Sequence, residues 1–377
     1  MRIRPLALAP LLLLSACKPT GSELKIGVSA PLTGDISALG QSTKNAILLA
    51  QDEVNAGGGL KVGDKVLKVR CIIEDDENKP ESTATVFQKL INQDRVLAII
   101  GSQSSKCSNA GAPIAESAKV PQITPWSTNP NVTKGRSFVF RACFIDPFQG
   151  RVVAQFAAGK LKAKTAAVLY DVASDYNKGI AEVFKANYEK LGGKIVAFET
   201  YTTNDKDFSA QLTKIKDAKP DVIFLPNYYS EVPLQVQQAK RLGITAPFIG
   251  SDSWGSNELL TLGGADLNGY YFSTHYAADN AAPVAKKFIA DYEKAYGTKP
   301  DDVAALTYDA FGLLFDSIQS AGKADREAIR AALSTLPSYK GVTGDMKFQA
   351  DSRDPIKSAV ILQIKDGKFT YYTNANP

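Results

Sequence analysis

The sequence predicts an α/β protein of two doubly wound parallel-sheet lobes joined by a three-strand hinge. Three observations carry this: β-branched runs alternate with helical segments, the alternation begins afresh beyond residue 143, and 377 residues are too many for one comfortable core.

In the first series, strand-like runs at 25–32, 66–73 and 96–101 alternate with helix-like segments at 43–55 and 80–94. Such βαβα order makes a parallel sheet covered on both faces. Gly57, Gly58 and Gly59 follow the first helix, where a C′ residue must accept positive φ, and Pro80 opens the next at a position that needs no N–H. Because these glycines end a helix instead of beginning one, they do not form a phosphate cradle.

The second series follows a strand-like run at 138–143. Runs at 165–171, 194–201, 221–226 and 247–250 alternate with helical segments at 177–191, 207–217 and 231–242. Helical segments at 283–296, 303–321 and 326–336 bring no strand series of their own and are expected to return to the first lobe. The tail alternates again around the turn at 365–368. Crossings near 145, 275 and 352 divide the chain into lobe 1 (24–145 plus 276–351) and lobe 2 (146–275 plus 352–377).

At the N-terminus, Arg2 and Arg4 precede an apolar stretch at 6–14 that is too short to span a bilayer, so residues 1–16 read as a signal peptide. Leu14-Ser15-Ala16-Cys17 resembles the lipobox of bacterial lipoproteins, which makes Cys17 the expected lipidation site. Lys plus Arg number 44 against 39 Asp plus Glu, a formal charge of +5, yet the basic residues are scattered among acids. No basic stripe offers itself to nucleic acid. The remaining cysteines are Cys71, Cys107 and Cys143, an odd number for a disulfide-permitting compartment. Cys71 lies in an apolar run and reads as core, Cys107 and Cys143 are the candidate bridge, and the irregular spacing argues against a metal site.

Several motifs are recognisable by order and spacing: KIGVSAPLTG at 25–34, AQDEVNAGGG at 50–59, IIGSQSS at 99–105, VPQITPWSTNP at 120–130, FRACFIDPFQG at 140–150 and GSD at 250–252. Together they resemble the type I periplasmic solute-binding proteins of the branched-chain amino acid (leucine/isoleucine/valine) ABC transporter family. The resemblance runs over essentially all of the chain beyond the signal segment and implies the fold of that family.

The chemical task it implies is to hold a zwitterion, whose two charges must be met together in a closed cleft. Ser105 follows a strand end and opens a helical stretch. Its hydroxyl can cap that helix or join the helix N–H groups around a carboxylate, and the resemblance implies the second role. Thr128 lies past the carboxyl end of the next strand, where open α/β sheets bind ligands. The resemblance further implies that Trp126 offers its backbone carbonyl to the ligand ammonium, that Asp252 is the acidic ammonium partner, and that Tyr176 and Tyr228 close over the ligand. Two departures from the family pattern, Leu39 for an aromatic and Trp126 for a small residue, imply a reshaped pocket.

An enzyme is the rival class, but the sole histidine, His275, has no nucleophile or metal set around it in the sequence and reads as a structural residue beside a hinge. No cofactor and no metal are expected. The expected partners are a small amino acid, an ABC permease/ATPase complex in the inner membrane and the membrane itself through the lipid anchor, with the protein a monomer in the periplasm or cell envelope. A sensory receptor of the same fold, taking a small amide or amino acid, is the alternative.

Overall fold

A computed structural model describes residues 23–349 and 352–377; residues 1–16 and Cys17, the expected signal peptide and lipidation site, lie outside the described residues. The first sheet is built from β1 (Glu23–Ala30), β2 (Leu60–Val62), β3 (Lys65–Asp75), β4 (Ala98–Ile100), β5 (Gln122–Thr124) and β6 (Val139–Arg141). Its order is β2-β3-β1-β4-β5-β6, parallel except for the β2–β3 hairpin at one edge. Between these strands run α1 (Ser37–Ala56), α2 (Pro80–Asn92) and α3 (Ser105–Ser117).

The chain then enters the second half through α4 (Asp146–Gln155). There β7 (Thr165–Asp171), β8 (Lys194–Tyr201), β9 (Val222–Leu225), β10 (Phe248–Gly250) and β11 (Tyr271–Thr274) alternate with α5 (Asp175–Lys190), α6 (Ser209–Ala218), α7 (Val232–Arg241) and α8 (Asn257–Gly263). Next come α9 (Pro283–Tyr296), α10 (Asp302–Ala321), α11 (Arg326–Thr335) and a hairpin of β12 (Ser338–Gly341) and β13 (Gly344–Lys347). The last strands, β14 (Ala359–Lys365) and β15 (Lys368–Ala375), complete a seven-stranded sheet of order β15-β14-β11-β10-β9-β7-β8, with an antiparallel edge at β15-β14-β11.

The helices that follow the second strand series do return to the first sheet. Phe311, Leu314 and Ile318 of α10 and Ile329 of α11 share one apolar core with Ile26, Val28, Ile100 and Ile123. A buried Leu or Phe of this kind contributes about 1.5–3 kcal/mol. Asp301 caps α10 by accepting the Ala304 N–H at 2.9 Å, and Gly322 ends it at φ 62°, so a helix buried on nearly every face still has both ends satisfied. The second core gathers on β7, β9 and β10 and continues across the interlobe gap to Ile36, Leu39 and Trp126. Gly40 seats α1 against the loop after β1, since a Cβ there would lie 1.9 Å from the Pro31 carbonyl oxygen.

One sequence expectation is corrected. Cys107 and Cys143 form no bridge; both are free, buried thiols that face different acceptors, Asn78 Oδ1 at 3.7 Å and the Ser127 carbonyl at 3.2 Å. The glycine run after α1 behaves as expected: Gly57 is the C-cap at φ −69°, and Gly58 at C′ takes the positive φ, 104°.

Candidate functional site

The site forms where the carboxyl ends of strands from the two sheets face each other. Ser105, Trp126, Tyr176, Tyr228 and Asp252 line one interlobe cleft together with Gln103 and Ser104. The cleft encloses about 160 Å³ and is nowhere wide enough for a water molecule.

On the first lobe, Ser105 is the opening residue of α3, and the N-cap position belongs to Ser104. Ser104 donates its hydroxyl to Asn78 Oδ1 at 2.6 Å, while Ser105 Oγ accepts the Asn129 N–H at 3.2 Å. The first N–H groups of this 13-residue helix have no partner further back along it, so its positive end is suited to an anion. Trp126 is 4% exposed and packs in the same apolar cluster as Leu39. Its indole N–H points to Asp302 Oδ2 at 3.4 Å, and its ring lies 6.0 Å from that of Tyr228. Thr128 is buried beside this wall, outside the cleft lining, and its hydroxyl has no hydrogen-bond partner among the described residues. Its carbonyl accepts the Asp146 N–H at 3.0 Å. Burial pushes the Asp146 carboxyl up to about 7.

On the second lobe, Asp252 follows β10 and is 1% exposed. It accepts from the Tyr176 hydroxyl and from Gln149 Nε2 (3.0 Å) on Oδ1, while His275 Nε2 stands 3.1 Å from Oδ2. A carboxylate only accepts, so His275 donates from Nε2. Burial lowers the imidazole pKa to about 4 although Asp252 opposes this, and the neutral ring stacks on Phe144 at 3.7 Å. The Tyr176 oxygen in turn accepts from the Ser251 hydroxyl at 2.7 Å, and its ring lies 5.8 Å from that of Tyr228. The result is one buried carboxylate aimed by three donors, on the wall opposite a helix N-terminus.

Contacts across the lobes hold the cleft shut. The Ala38 N–H donates to Tyr229 Oη at 3.2 Å, Asn109 Nδ2 to Asp175 Oδ2 at 2.8 Å, and the Thr274 hydroxyl to Asp302 Oδ2 at 2.8 Å. Burial raises the Asp302 carboxyl well above its ordinary range, with Asp301 and Asp252 adding to the effect. Sequence reasoning missed Gln149, Gln103 and the engagement of His275 with Asp252. A glutamine within FRACFIDPFQG and a histidine just past a strand were the only signals, and neither names its spatial partner.

Residues 23–368 match the family described as periplasmic binding protein. The chain is similar to a leucine-, isoleucine-, valine-, threonine- and alanine-binding protein of Pseudomonas aeruginosa, with 31% identity covering 89% of this chain and 87% of that protein. Among solved structures it resembles the leucine binding protein LivK of Thermotoga maritima MSB8 (38% identity, TM-score 0.89, 94% of this chain and 99% of that one). It also resembles the branched-chain amino acid transporter substrate binding protein LivJ of Streptococcus pneumoniae in complex with isoleucine (32% identity, TM-score 0.86, 93% and 99%). With the family match running from the first described strand into the final hairpin, the chain belongs to the periplasmic binding protein family.

Proposed function

We propose that this chain is the extracytoplasmic ligand-binding component of an ABC importer, holding an aliphatic L-α-amino acid of the leucine/isoleucine/valine class between its lobes by hinge closure. The observation that carries the reading is Asp252, a 1%-exposed carboxyl aimed by Tyr176, Gln149 and His275 across a closed cleft from Ser105 and the start of α3. An acid on one lobe suits an ammonium, and a helix N-terminus with a hydroxyl on the other suits a carboxylate. The relatives' names give the same ligand class.

In this reading Ser105 and Thr128 meet the carboxylate, Thr128 and the Trp126 carbonyl share the ammonium with Asp252, and Tyr176 and Tyr228 cover the ligand. Lobe 1 comprises residues 24–145 plus 276–351 and lobe 2 residues 146–275 plus 352–377. Ligand seated on lobe 1 gains its contacts to lobe 2 only on closure, and this differential contact shifts the population to the closed form. The closed monomer docks on a permease/ATPase complex in the inner membrane, and lipidated Cys17 keeps it at the membrane surface.

A thermal-shift screen of the mature protein against the free amino acids tests the reading. Leucine, isoleucine or valine should raise the melting temperature, and a flat response to all amino acids refutes it.

A further inference from the structure

Gln103 lies between the end of β4 and α3 and lines the cleft. It is fully buried, and neither its side-chain Oε1 nor its Nε2 finds a hydrogen-bond partner among the described residues. Its main chain is engaged, because its carbonyl accepts the Ser127 hydroxyl at 2.8 Å. The neighbouring hydroxyls are engaged too, Ser104 with Asn78 and Ser105 with the Asn129 N–H. The carboxamide alone is left over. An unpaired buried amide is costly, and a leucine of similar size would avoid the cost, so the polar group needs a partner that arrives with the ligand.

In the function proposed above, the ligand carboxylate belongs to Ser105 and α3 and its ammonium to Asp252, which leaves the ligand side chain for Gln103. We propose that Gln103 is a specificity-determining residue that pairs with a hydrogen-bonding group on the side chain of the bound amino acid, so that the site favours a short aliphatic chain bearing a hydroxyl over its methyl isostere. This rests on the amino-acid reading and refines it: leucine, isoleucine and valine bind, and a hydroxyl-bearing chain of valine's shape binds more tightly. A hydroxyl donates and accepts, and a carboxamide offers both counterparts. It also occupies the space of a methyl, so it asks no more room of the walls formed by Trp126, Tyr176 and Tyr228 than valine does. A site built to bond a polar group rejects the analogue that lacks it far more strongly than an apolar pocket rejects an extra hydroxyl.

The test is calorimetric titration of the mature protein with L-threonine and L-valine, in the wild type and in Gln103→Leu, with the melting temperature of each protein measured without ligand. Wild type should bind threonine at least about 10-fold more tightly than valine, and Gln103→Leu should abolish or invert that ratio. The empty variant should melt higher than wild type, because two unpaired polar atoms are gone. Equal or tighter binding of valine by the wild type overturns the proposal, as does a ratio that Gln103→Leu leaves unchanged. If wild type binds neither ligand, the thermal-shift screen over all amino acids decides on the amino-acid reading and the ligand-free melting temperatures decide on Gln103: a rise in the variant supports an unpaired amide awaiting a partner, and a fall overturns it.

Discussion

Asp252→Asn removes one charge from a cleft that excludes water, and its consequences can be worked from the contacts. The carboxylate accepts from Tyr176, Gln149 and His275, and asparagine turns one accepting oxygen into a donating NH₂. Whichever way the amide turns, at least one neighbour then faces a donor. Tyr176 can turn its proton to Ser251, whereas His275 can accept from the amide NH₂ only by moving its own proton to Nδ1, which is buried without a partner among the described residues. The fold should lose about 1–3 kcal/mol for the unpaired group. Binding should suffer more, because the ligand ammonium would be buried against a neutral amide, a loss of about 2–5 kcal/mol or roughly 30- to 4,000-fold in Kd. Calorimetry with L-leucine reads the second quantity and thermal unfolding without ligand reads the first. Wild-type affinity in a folded Asp252→Asn variant refutes the assignment and leaves Asp252 a structural residue.

Other perturbations separate the remaining parts of the account. Cys17→Ser should abolish acyl labelling and release the protein from the membrane fraction, and full retention of an unlabelled variant contradicts the anchor. Burial pushes the Cys71, Cys107 and Cys143 thiols up to about 12, so the native protein should react slowly with a thiol reagent at pH 8, while unfolding without reductant should expose all three; a shortfall of two would restore a bridge. Because the folded-state pKa of Asp146 is raised from 3.8 to about 7, the folded protein binds more protons than the unfolded chain between those values, and this group's contribution to stability is lost as pH rises through about 7. Asp146→Asn should therefore gain melting temperature over wild type between pH 4 and 8, and a constant difference across that range contradicts the burial of an ionisable group.

Much of the fold was legible because its elements have clean periods and punctuation. Thr165–Asp171, Lys194–Tyr201 and Pro283–Tyr296 begin and end on the expected residues, each bounded by a turn, a helix start or a glycine. The helix Asp146–Gln155 escaped because it buries a polar and apolar mixture, Asp146, Gln149, Gly150 and Val152 to Ala154, instead of an apolar stripe. Gln149 and its bond to Asp252 were lost with it. Ser105 was legible as a helix-start hydroxyl, yet only the coordinates assign the cap to Ser104 and set Ser105 against Asn129. The cysteine pairing failed for a simple reason, since counting thiols carries no distance. Trp126 was legible as a departure from the family pattern, but its bond to Asp302 joins residues far apart in the chain.

The central claim is that a free α-amino acid bridges the two lobes and shuts them, with both of its charges required. Small-angle scattering of the mature protein with L-leucine, L-leucinamide and N-acetyl-L-leucine tests it most directly. The account predicts that the radius of gyration falls with leucine and stays at its ligand-free value with the two derivatives, each of which leaves a buried partner unpaired. Compaction by the amide, with none by leucine or any other free amino acid, would contradict it and point to an amide-sensing receptor of the same fold.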